Sequence, residues 1–211
     1  MKVSEKKGLV FRWFFLAVAV FLSFYFDSQL VKLFSLIRTA VLTDFFMGIT
    51  FVSSVLILFL FLTLLFIREN KRKWILPLWL SIALSVIGSF LLKVSVQRAR
   101  PYQIDLVTVV GDIASASHNI WNFSFPSFQA VLVFAALPFL GKEFPKFKYV
   151  WFVFAGLVAL SRVYLGLHFV SDVLVGGLIG YGIGMLIVHK ENCNKTWSRL
   201  HEYLFGKNNK N

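Results

Sequence analysis

Long apolar stretches separated by short polar segments run through most of the chain. Each stretch is continuous rather than alternating, which favours a helix, because a helix satisfies its own backbone hydrogen bonds in lipid. Six stretches are candidates to cross about 30 Å of hydrocarbon: Leu9–Phe26, Phe45–Ile67, Trp74–Leu92, Pro126–Leu140, Tyr149–Tyr164 and Val173–Val188. The pattern predicts an all-α integral membrane bundle of six transmembrane helices, with residues 1–211 forming a single domain.

The segment between the first two apolar stretches has a different pattern. Asp27–Asp44 is too polar to cross the membrane, yet its apolar residues recur at helical spacing, as Leu30, Leu33, Phe34 and Ile37 illustrate. This pattern predicts an amphipathic helix that lies in the membrane interface.

Composition supports a membrane protein and excludes several other classes. Only 15% of the residues are charged and 58% are hydrophobic, with a mean hydropathy of +0.74, whereas about a quarter of the residues of a soluble domain are charged. A soluble enzyme and a disordered segment are therefore excluded. A single cysteine, Cys193, excludes an internal disulfide and a cysteine-based metal cluster. No spacing of carboxylates or histidines suggests a metal site, and no cofactor is expected.

The distribution of basic residues explains the net charge of +12. Most of the 22 lysines and arginines lie at the N-terminus, in residues 68–73, in residues 142–148 and in the tail 189–211. With six spans these segments share one side, so the positive-inside rule places both termini and the tail in the cytoplasm. The charge therefore indicates the lipid bilayer as partner and gives no reason to expect nucleic acid.

The remaining basic residues fall on the opposite, outer side. Lys93 and Arg100 are seven positions apart, so a continuous helix would place them on one face, and Pro101 would help to end that helix. Arg98 would point elsewhere. Basic residues at the end of a span also commonly extend to the interface, so this pair alone does not define a site.

A second group lies at the outer end of the fifth stretch. Arg162 is followed by His168 and Asp172, which are four positions apart and share a helix face. The carboxylate can accept the imidazole proton and hold the ring for nucleophilic attack. Cations nearby can neutralise the oxygens of a phosphoryl group during transfer.

A third candidate is Ser127, which follows Pro126 at the start of the fourth stretch. A serine in this position can cap the helix, and its hydroxyl can also bind an anion together with nearby backbone N–H groups. The sequence leaves both roles open.

The three groups together resemble the three-part signature of the type-2 phosphatidic acid phosphatase superfamily. The matching residues, which span positions 93–172, are Lys93-x6-Arg100-Pro101, Pro126-Ser127 and Ser161-Arg162-x5-His168-x3-Asp172. The resemblance implies a six-helix membrane bundle whose site needs no metal. It implies His168 as the nucleophile of a phosphohistidine intermediate and Asp172 as the residue that orients it. Phosphate would be bound by Lys93, Arg100, Ser127 and Arg162.

The second motif departs from the family pattern. The family usually has Pro-Ser-Gly-His, whereas this chain has Phe128 and Gln129 after Pro126 and Ser127. The family histidine commonly protonates the leaving group, and an amide cannot do so usefully. Gln129 therefore favours a substrate whose leaving group is a weak base, such as the phosphate of a lipid diphosphate. His118, in the outer loop Gln97–Phe125, is an alternative acid.

The predicted function is removal of a phosphate from an activated membrane lipid, with a polyprenyl diphosphate favoured. A lipid phosphotransferase, a lipid A 1-phosphatase and a phosphatidylglycerophosphate or phosphatidate phosphatase remain as alternatives. A different class is a relative that binds phosphorylated lipid without turning it over, which Gln129 favours and the His168–Asp172 pair opposes. We expect the cell's inner (plasma) membrane, with the site facing the periplasm or exterior. The oligomeric state is open.

Overall fold

The computed structural model describes residues 3–108, 110 and 122–206, and the regular elements in these ranges are all helical. The α-helices are α1 (Val3–Leu36), α2 (Ala40–Val52), α3 (Val55–Arg68), α4 (Ile75–Val96), α5 (Phe128–Ala135), α6 (Leu137–Glu143), α7 (Phe147–Tyr164), α8 (Val170–Asn194) and α9 (Thr196–Phe205). Short 3₁₀ turns lie at Arg72–Trp74 and Pro101–Ile104. The predicted all-α class is confirmed for this part of the chain.

Within the described ranges, four segments are long and apolar enough to cross a membrane: Phe14–Leu36, Arg72–Ile104, Phe147–Tyr164 and Val170–Asn194. Helices α2 and α3 are bent by 60° and add a fifth span if they are counted together. The predicted count of six is not confirmed.

The fourth predicted stretch, Pro126–Leu140, is divided at Ala136 into the short helices α5 and α6. This break places Pro138 in the first turn of α6. A proline is tolerated there because the first backbone N–H groups of a helix have no partner within it.

The predicted interfacial helix over Asp27–Asp44 was wrong. Helix α1 continues through Asp27 to Leu36, and α2 begins after Thr39, whose hydroxyl oxygen accepts the N–H of Leu42 at 3.3 Å. Asp27 counted as a polar residue that would stay at the membrane surface, but its carboxylate is buried within the bundle and paired with Arg98.

Close packing of α5 against α8 forms the centre of the bundle. Three glycines on one face of α8 bring the two backbones together: a Cβ on Gly176 would lie 2.8 Å from the carbonyl oxygen of Ser127, and one on Gly180 would overlap the carbonyl of Val131. As a result the start of α5 meets the start of α8, where Ser127 N–H donates to the Asp172 carbonyl at 3.0 Å.

The largest apolar cluster lies at the opposite end of the bundle from that junction. It packs α3, α4, α6, α7 and α8 together through buried residues that include Phe66, Trp74, Phe139, Leu140 and Trp151. The buried polar residues near Asp172 therefore lie at the end of the bundle away from this cluster.

The α5–α8 contact makes a testable prediction. Gly180→Ala should destabilise the protein by about 1–3 kcal/mol, because the added methyl forces two packed helices apart, and this lowers Tm by several degrees. Gly182→Ala is the matched control, since a Cβ there has nothing within 4 Å. Thermal unfolding in detergent measures both. Equal Tm values for the two variants would contradict the close approach.

Candidate active site

The site lies at one end of the bundle, where several elements begin or end. Its predicted residues lie at the end of α4 (Lys93), in the segment after it (Arg100), before α5 (Ser127), at the end of α7 (Arg162), before α8 (His168) and in the first turn of α8 (Asp172). The structure brings them together. Arg100 Nη1 lies 3.5 Å from His168 Nε2, the Ser127 N–H donates to the Asp172 carbonyl at 3.0 Å, and Lys93 and Arg162 are near enough for their charges to act on those of the group.

His168 is buried, with 3% of its surface exposed, and both ring nitrogens have defined neighbours. Nδ1 lies 2.7 Å from the backbone carbonyl oxygen of Ser124. A carbonyl only accepts, so this contact assigns the proton to Nδ1 and leaves a lone pair on Nε2. Nε2 faces Arg100 Nη1 at 3.5 Å. Burial and the charge of Arg100 lower the pKa of His168 well below its ordinary value, so the imidazole is neutral at physiological pH.

Asp172 is fully buried and reaches His168 mainly through Ser124. Its Oδ2 lies 3.7 Å from His168 Nδ1, beyond hydrogen-bond distance. Oδ2 instead accepts the Ser124 hydroxyl in a short hydrogen bond and the Phe169 N–H at 2.8 Å. Ser124 therefore links the two, with its hydroxyl bound to the carboxylate and its carbonyl bound to the imidazole. The sequence pointed to a direct contact and did not identify Ser124.

Lys93 and Arg100 lie close together for a reason other than the predicted one. Helix α4 ends at Val96, and Gln97 has a φ of +50°, so the two cations do not share a helix face. Arg100 is in an extended conformation and donates through Nη1 to the Leu167 carbonyl at 3.3 Å. Lys93 Nζ donates to the Phe123 carbonyl at 2.7 Å. Backbone carbonyls from other segments thus fix both side chains.

Two buried donors in the site lack partners among the residues that the structure describes. Ser127 precedes α5 but makes no capping hydrogen bond through its side chain, and its Oγ is one of these groups. The other is Nε of Arg162. Buried polar groups are nearly always satisfied by protein, water or a ligand. Of the two roles left open for Ser127, anion binding therefore fits better than capping.

Gln129 lies beside Arg162 through a shared neighbour on α2. Its Nε2 donates to the Thr50 carbonyl at 3.4 Å, and Arg162 Nη1 donates to the Thr50 hydroxyl oxygen at 3.3 Å. Gln129 Oε1 is buried and has no partner in the described part of the chain. His118, the alternative acid, lies outside the described residues.

Arg98 and Asp27 also belong to the site, although the sequence analysis assigned them no role. Arg98 Nη1 donates to Asp172 Oδ1 at 2.8 Å, contrary to the expectation that this side chain points elsewhere. Its Nη2 pairs with Asp27 Oδ2 at 2.7 Å. A signal was present in the sequence, since an acid beside a membrane-spanning stretch requires a partner.

Histidine, cysteine, aspartate and glutamate side chains are the residues that most often hold a metal ion in proteins. Across residues 3–108, 110 and 122–206, no three histidine, cysteine, aspartate or glutamate side chains are grouped so that they could hold one. The side chains gathered around His168 are instead cations and hydroxyls, which suit an anion.

The chain matches one protein family over more than half of its length and resembles several known proteins. The model of the PAP2 superfamily matches residues 74–195, which is more than half of the chain and contains every predicted site residue. Phosphatidylglycerophosphatase B of Bacillus subtilis is 36% identical over 107 residues, 46% of this chain and 45% of that protein. Undecaprenyl-diphosphatase of Sulfolobus acidocaldarius is 28% identical over 130 residues, 61% of each chain. The chain thus spans roughly half the length of these curated relatives.

Two solved structures share the fold. The crystal structure of a transmembrane PAP2-type phosphatidylglycerolphosphate phosphatase from Bacillus subtilis matches with a TM-score of 0.65 and 26% identity, over 90% of this chain and 96% of that one. Aquifex aeolicus LpxE matches with a TM-score of 0.61 and 30% identity, over 77% and 94% of the two chains.

Proposed function

This chain belongs to the PAP2 superfamily, and from that premise we propose that it is a membrane lipid phosphatase acting through a phosphohistidine intermediate. One observation carries the proposal. His168 donates from Nδ1 to the Ser124 carbonyl at 2.7 Å, so the lone pair is on Nε2, which the guanidinium of Arg100 faces at 3.5 Å. A neutral, oriented imidazole beside cations suits attack on a phosphoryl group.

The reaction has two steps. In the first, the Nε2 lone pair of His168 forms a bond to phosphorus, and the bond from phosphorus to the leaving oxygen breaks, with its electrons staying on that oxygen. Lys93, Arg100 and Arg162 stabilise the charge on the phosphoryl oxygens, together with the hydroxyl of Ser127. In the second step water attacks phosphorus, and the P–N bond breaks with its electrons returning to Nε2. The protons of the water leave on the inorganic phosphate, and His168 is again a neutral imidazole.

The intermediate places positive charge on the imidazole. The Ser124 carbonyl accepts a hydrogen bond from Nδ1–H, and the carboxylate of Asp172 lies 3.7 Å from that nitrogen. Both features favour the charged ring electrostatically, and the buried setting strengthens the effect. Asp172 is thus the orienting residue in the proposal, acting mainly through Ser124.

The favoured substrate is a lipid diphosphate such as a polyprenyl diphosphate. Gln129 stands where the family usually has an acid, and an amide cannot protonate a departing alkoxide. A departing phosphate is a much weaker base and needs no such proton. The undecaprenyl-diphosphatase of Sulfolobus acidocaldarius, a relative of this chain, is named for a substrate of this type.

A lipid phosphate monoester is the second candidate. The Bacillus subtilis relative with 36% identity is named as a phosphatidylglycerophosphatase, and so is the solved structure that covers 90% of this chain. These similarities favour phosphatidylglycerophosphate, while Gln129 favours the diphosphate.

We also propose a location in the plasma membrane, with the site at the outer face and both termini in the cytoplasm. The structure describes an integral membrane protein with four or five candidate spans. Counting α2–α3 and α5–α6 as one span each would give the six that this orientation requires. Basic residues at the end of the bundle opposite His168, such as Lys71 and Lys142, support it through the positive-inside rule.

Phosphate release by the purified protein in detergent tests the function. We expect release from a polyprenyl diphosphate to exceed release from phosphatidate and from phosphatidylglycerophosphate. His168→Ala should lower the rate more than about 10³-fold, because the nucleophile is lost. His189→Ala, at an exposed histidine, is the matched control. Release from none of the three lipids would favour a binding protein or a transferase lacking its acceptor, and turnover by His168→Ala would remove His168 as nucleophile.

The leaving-group argument is tested by Gln129→His. A histidine there can protonate an alkoxide, so hydrolysis of the monoesters should rise about tenfold or more relative to the diphosphate, since general-acid catalysis is worth about 10²–10⁴-fold. The ratio of kcat/KM between the two substrate types is the measurement. Gln29→His, at an exposed glutamine of α1, controls for an added imidazole. An unchanged ratio would show that Gln129 does not set the preference.

The orientation is tested with the single cysteine. Cys193 is exposed near the end of α8, whereas Asp172 of the site lies in the first turn of the same 25-residue helix. A membrane-impermeant maleimide should label it only after the membrane is opened. In a Cys193→Ser background, Ile104→Cys on the site side should instead be labelled in intact cells. The reverse pattern would invert the proposed topology.

A further inference from the structure

A buried acid on the first helix is connected to the site. Asp27 of α1 is 3% exposed and lies before residues 74–195, the part of the chain that matches the family. A buried charge in a membrane helix needs a partner, and mostly marks function. Its partner is Arg98, whose Nη2 lies 2.7 Å from Asp27 Oδ2.

Arg98 joins this acid to the carboxylate of the site. Its Nη1 donates to Asp172 Oδ1 at 2.8 Å and to the Ser171 hydroxyl oxygen at 2.6 Å. The guanidinium carbon also lies 4.0 Å from the centroid of the Phe169 ring, a cation–π contact. The rigid fork of an arginine presents separate N–H groups to the two carboxylates in this way.

Asp27 also completes the start of α8. Phe169 precedes this helix and offers no side-chain oxygen to the first N–H groups. Asp27 supplies the acceptor from another helix: its Oδ1 accepts the Ser171 N–H at 2.9 Å, and its Oδ2 accepts the Ser171 hydroxyl in a short hydrogen bond. Helix α1 is thereby attached to the turn that carries Asp172.

Arg98 contacts Ser124 as well, through its backbone. The Ser124 N–H donates to the Arg98 carbonyl at 2.7 Å, while the Ser124 hydroxyl and carbonyl hold Asp172 and His168. The side chain of Arg98 therefore fixes the carboxylate, and its main chain fixes the serine that joins the carboxylate to the imidazole.

From these contacts we propose that Asp27 and Arg98 are positioning residues that hold Asp172 and Ser124, and through them keep His168 in the Nδ1–H tautomer. The inference rests on the proposed function for its kinetic consequences. Asp27, Arg98 and Asp172 together carry one net negative charge beside the ring that becomes positive. Without Asp27, the positive charge of Arg98 would cancel the negative charge of Asp172.

This arrangement separates two kinetic effects. The phosphate-binding cations Lys93, Arg100 and Arg162 make no hydrogen bond to Asp27 in the described structure. Loss of the Asp27 charge should therefore reduce the stabilisation of the transition state without lowering the affinity for the substrate's phosphate in the ground state. An interaction made mainly in the transition state changes kcat and leaves KM nearly unchanged.

The kinetic test uses Asp27→Asn, Asp27→Glu and Arg98→Gln with the lipid phosphate that the wild type turns over fastest. Asp27→Asn should lower kcat about 10-fold to 100-fold, the range for one lost hydrogen bond between charged groups, with KM within about twofold. Asp27→Glu keeps the charge and should retain more activity. Asp44→Asn, at an exposed carboxylate of α2, is the matched control. The double variant Asp27→Asn/Arg98→Gln should lose less than the product of the single losses, because the two residues act together.

A second readout does not depend on turnover. The ¹⁵N spectrum of histidine-labelled protein reports the His168 tautomer, with His168→Gln used to assign the signal. We expect the Nδ1–H form in the wild type and a mixed signal in Asp27→Asn. If the wild type hydrolyses no lipid phosphate, the proposed function fails and this spectrum alone decides the positioning inference.

Other outcomes would overturn the inference. Wild-type kcat and an unchanged His168 signal in Asp27→Asn, with only a lower Tm, would make the ion pair purely structural. If Asp27→Asn does not fold, Ser171→Ala decides, because it removes a single hydroxyl from the same network. A reduced kcat with unchanged KM in that variant supports the inference, and wild-type kinetics contradict it.

Discussion

A carboxylate withdrawn from water loses hydration that only ion pairs and hydrogen bonds can replace. Asp172 is fully buried, and its oxygens accept hydrogen bonds from Arg98, from the hydroxyl of Ser124 and from the N–H of Phe169. These donors belong to separate segments of the chain, so the one anion fixes where those segments meet. His168 is held by the same serine, and its orientation therefore depends on this buried charge.

The cations of the site have the opposite requirement. Lys93, Arg100 and Arg162 lie close enough for their charges to repel one another, and an anion bound between them would relieve that repulsion. Lys93 and Arg100 are already held by the carbonyls of Phe123 and Leu167, so in the proposed reaction these side chains would need little reorganisation to bind phosphate. Charge that is fixed in advance stabilises a transition state more than charge that must move into place.

Local patterns predicted local features well. Continuous apolar stretches indicated helices. The helix face predicted to carry both His168 and Asp172 was wrong, because α8 begins at Val170 and only Asp172 lies in it. Contacts between distant segments could not be deduced this way. Lys93 and Arg100 were predicted to lie close together on one continuous helix. They do lie close together, but α4 ends at Val96, so the reason given for their proximity was wrong. The pairing of Asp27 with Arg98, 71 positions apart, is set by packing that no periodicity shows.

Two different sets of helices position the side chains of the site. One side of the bundle, built from α1, the segment after α4 and the start of α8, holds the imidazole of His168. The other side, built from α2, α5 and α7, brings Gln129 and Arg162 together around Thr50. The two sides meet at the close contact between α5 and α8. Within the described residues, no hydrogen bond joins Asp27 on one side to Gln129 on the other. Under the proposed function, a change at position 129 would alter which leaving group is accepted while His168 keeps its geometry, because the contacts that hold the two residues are separate.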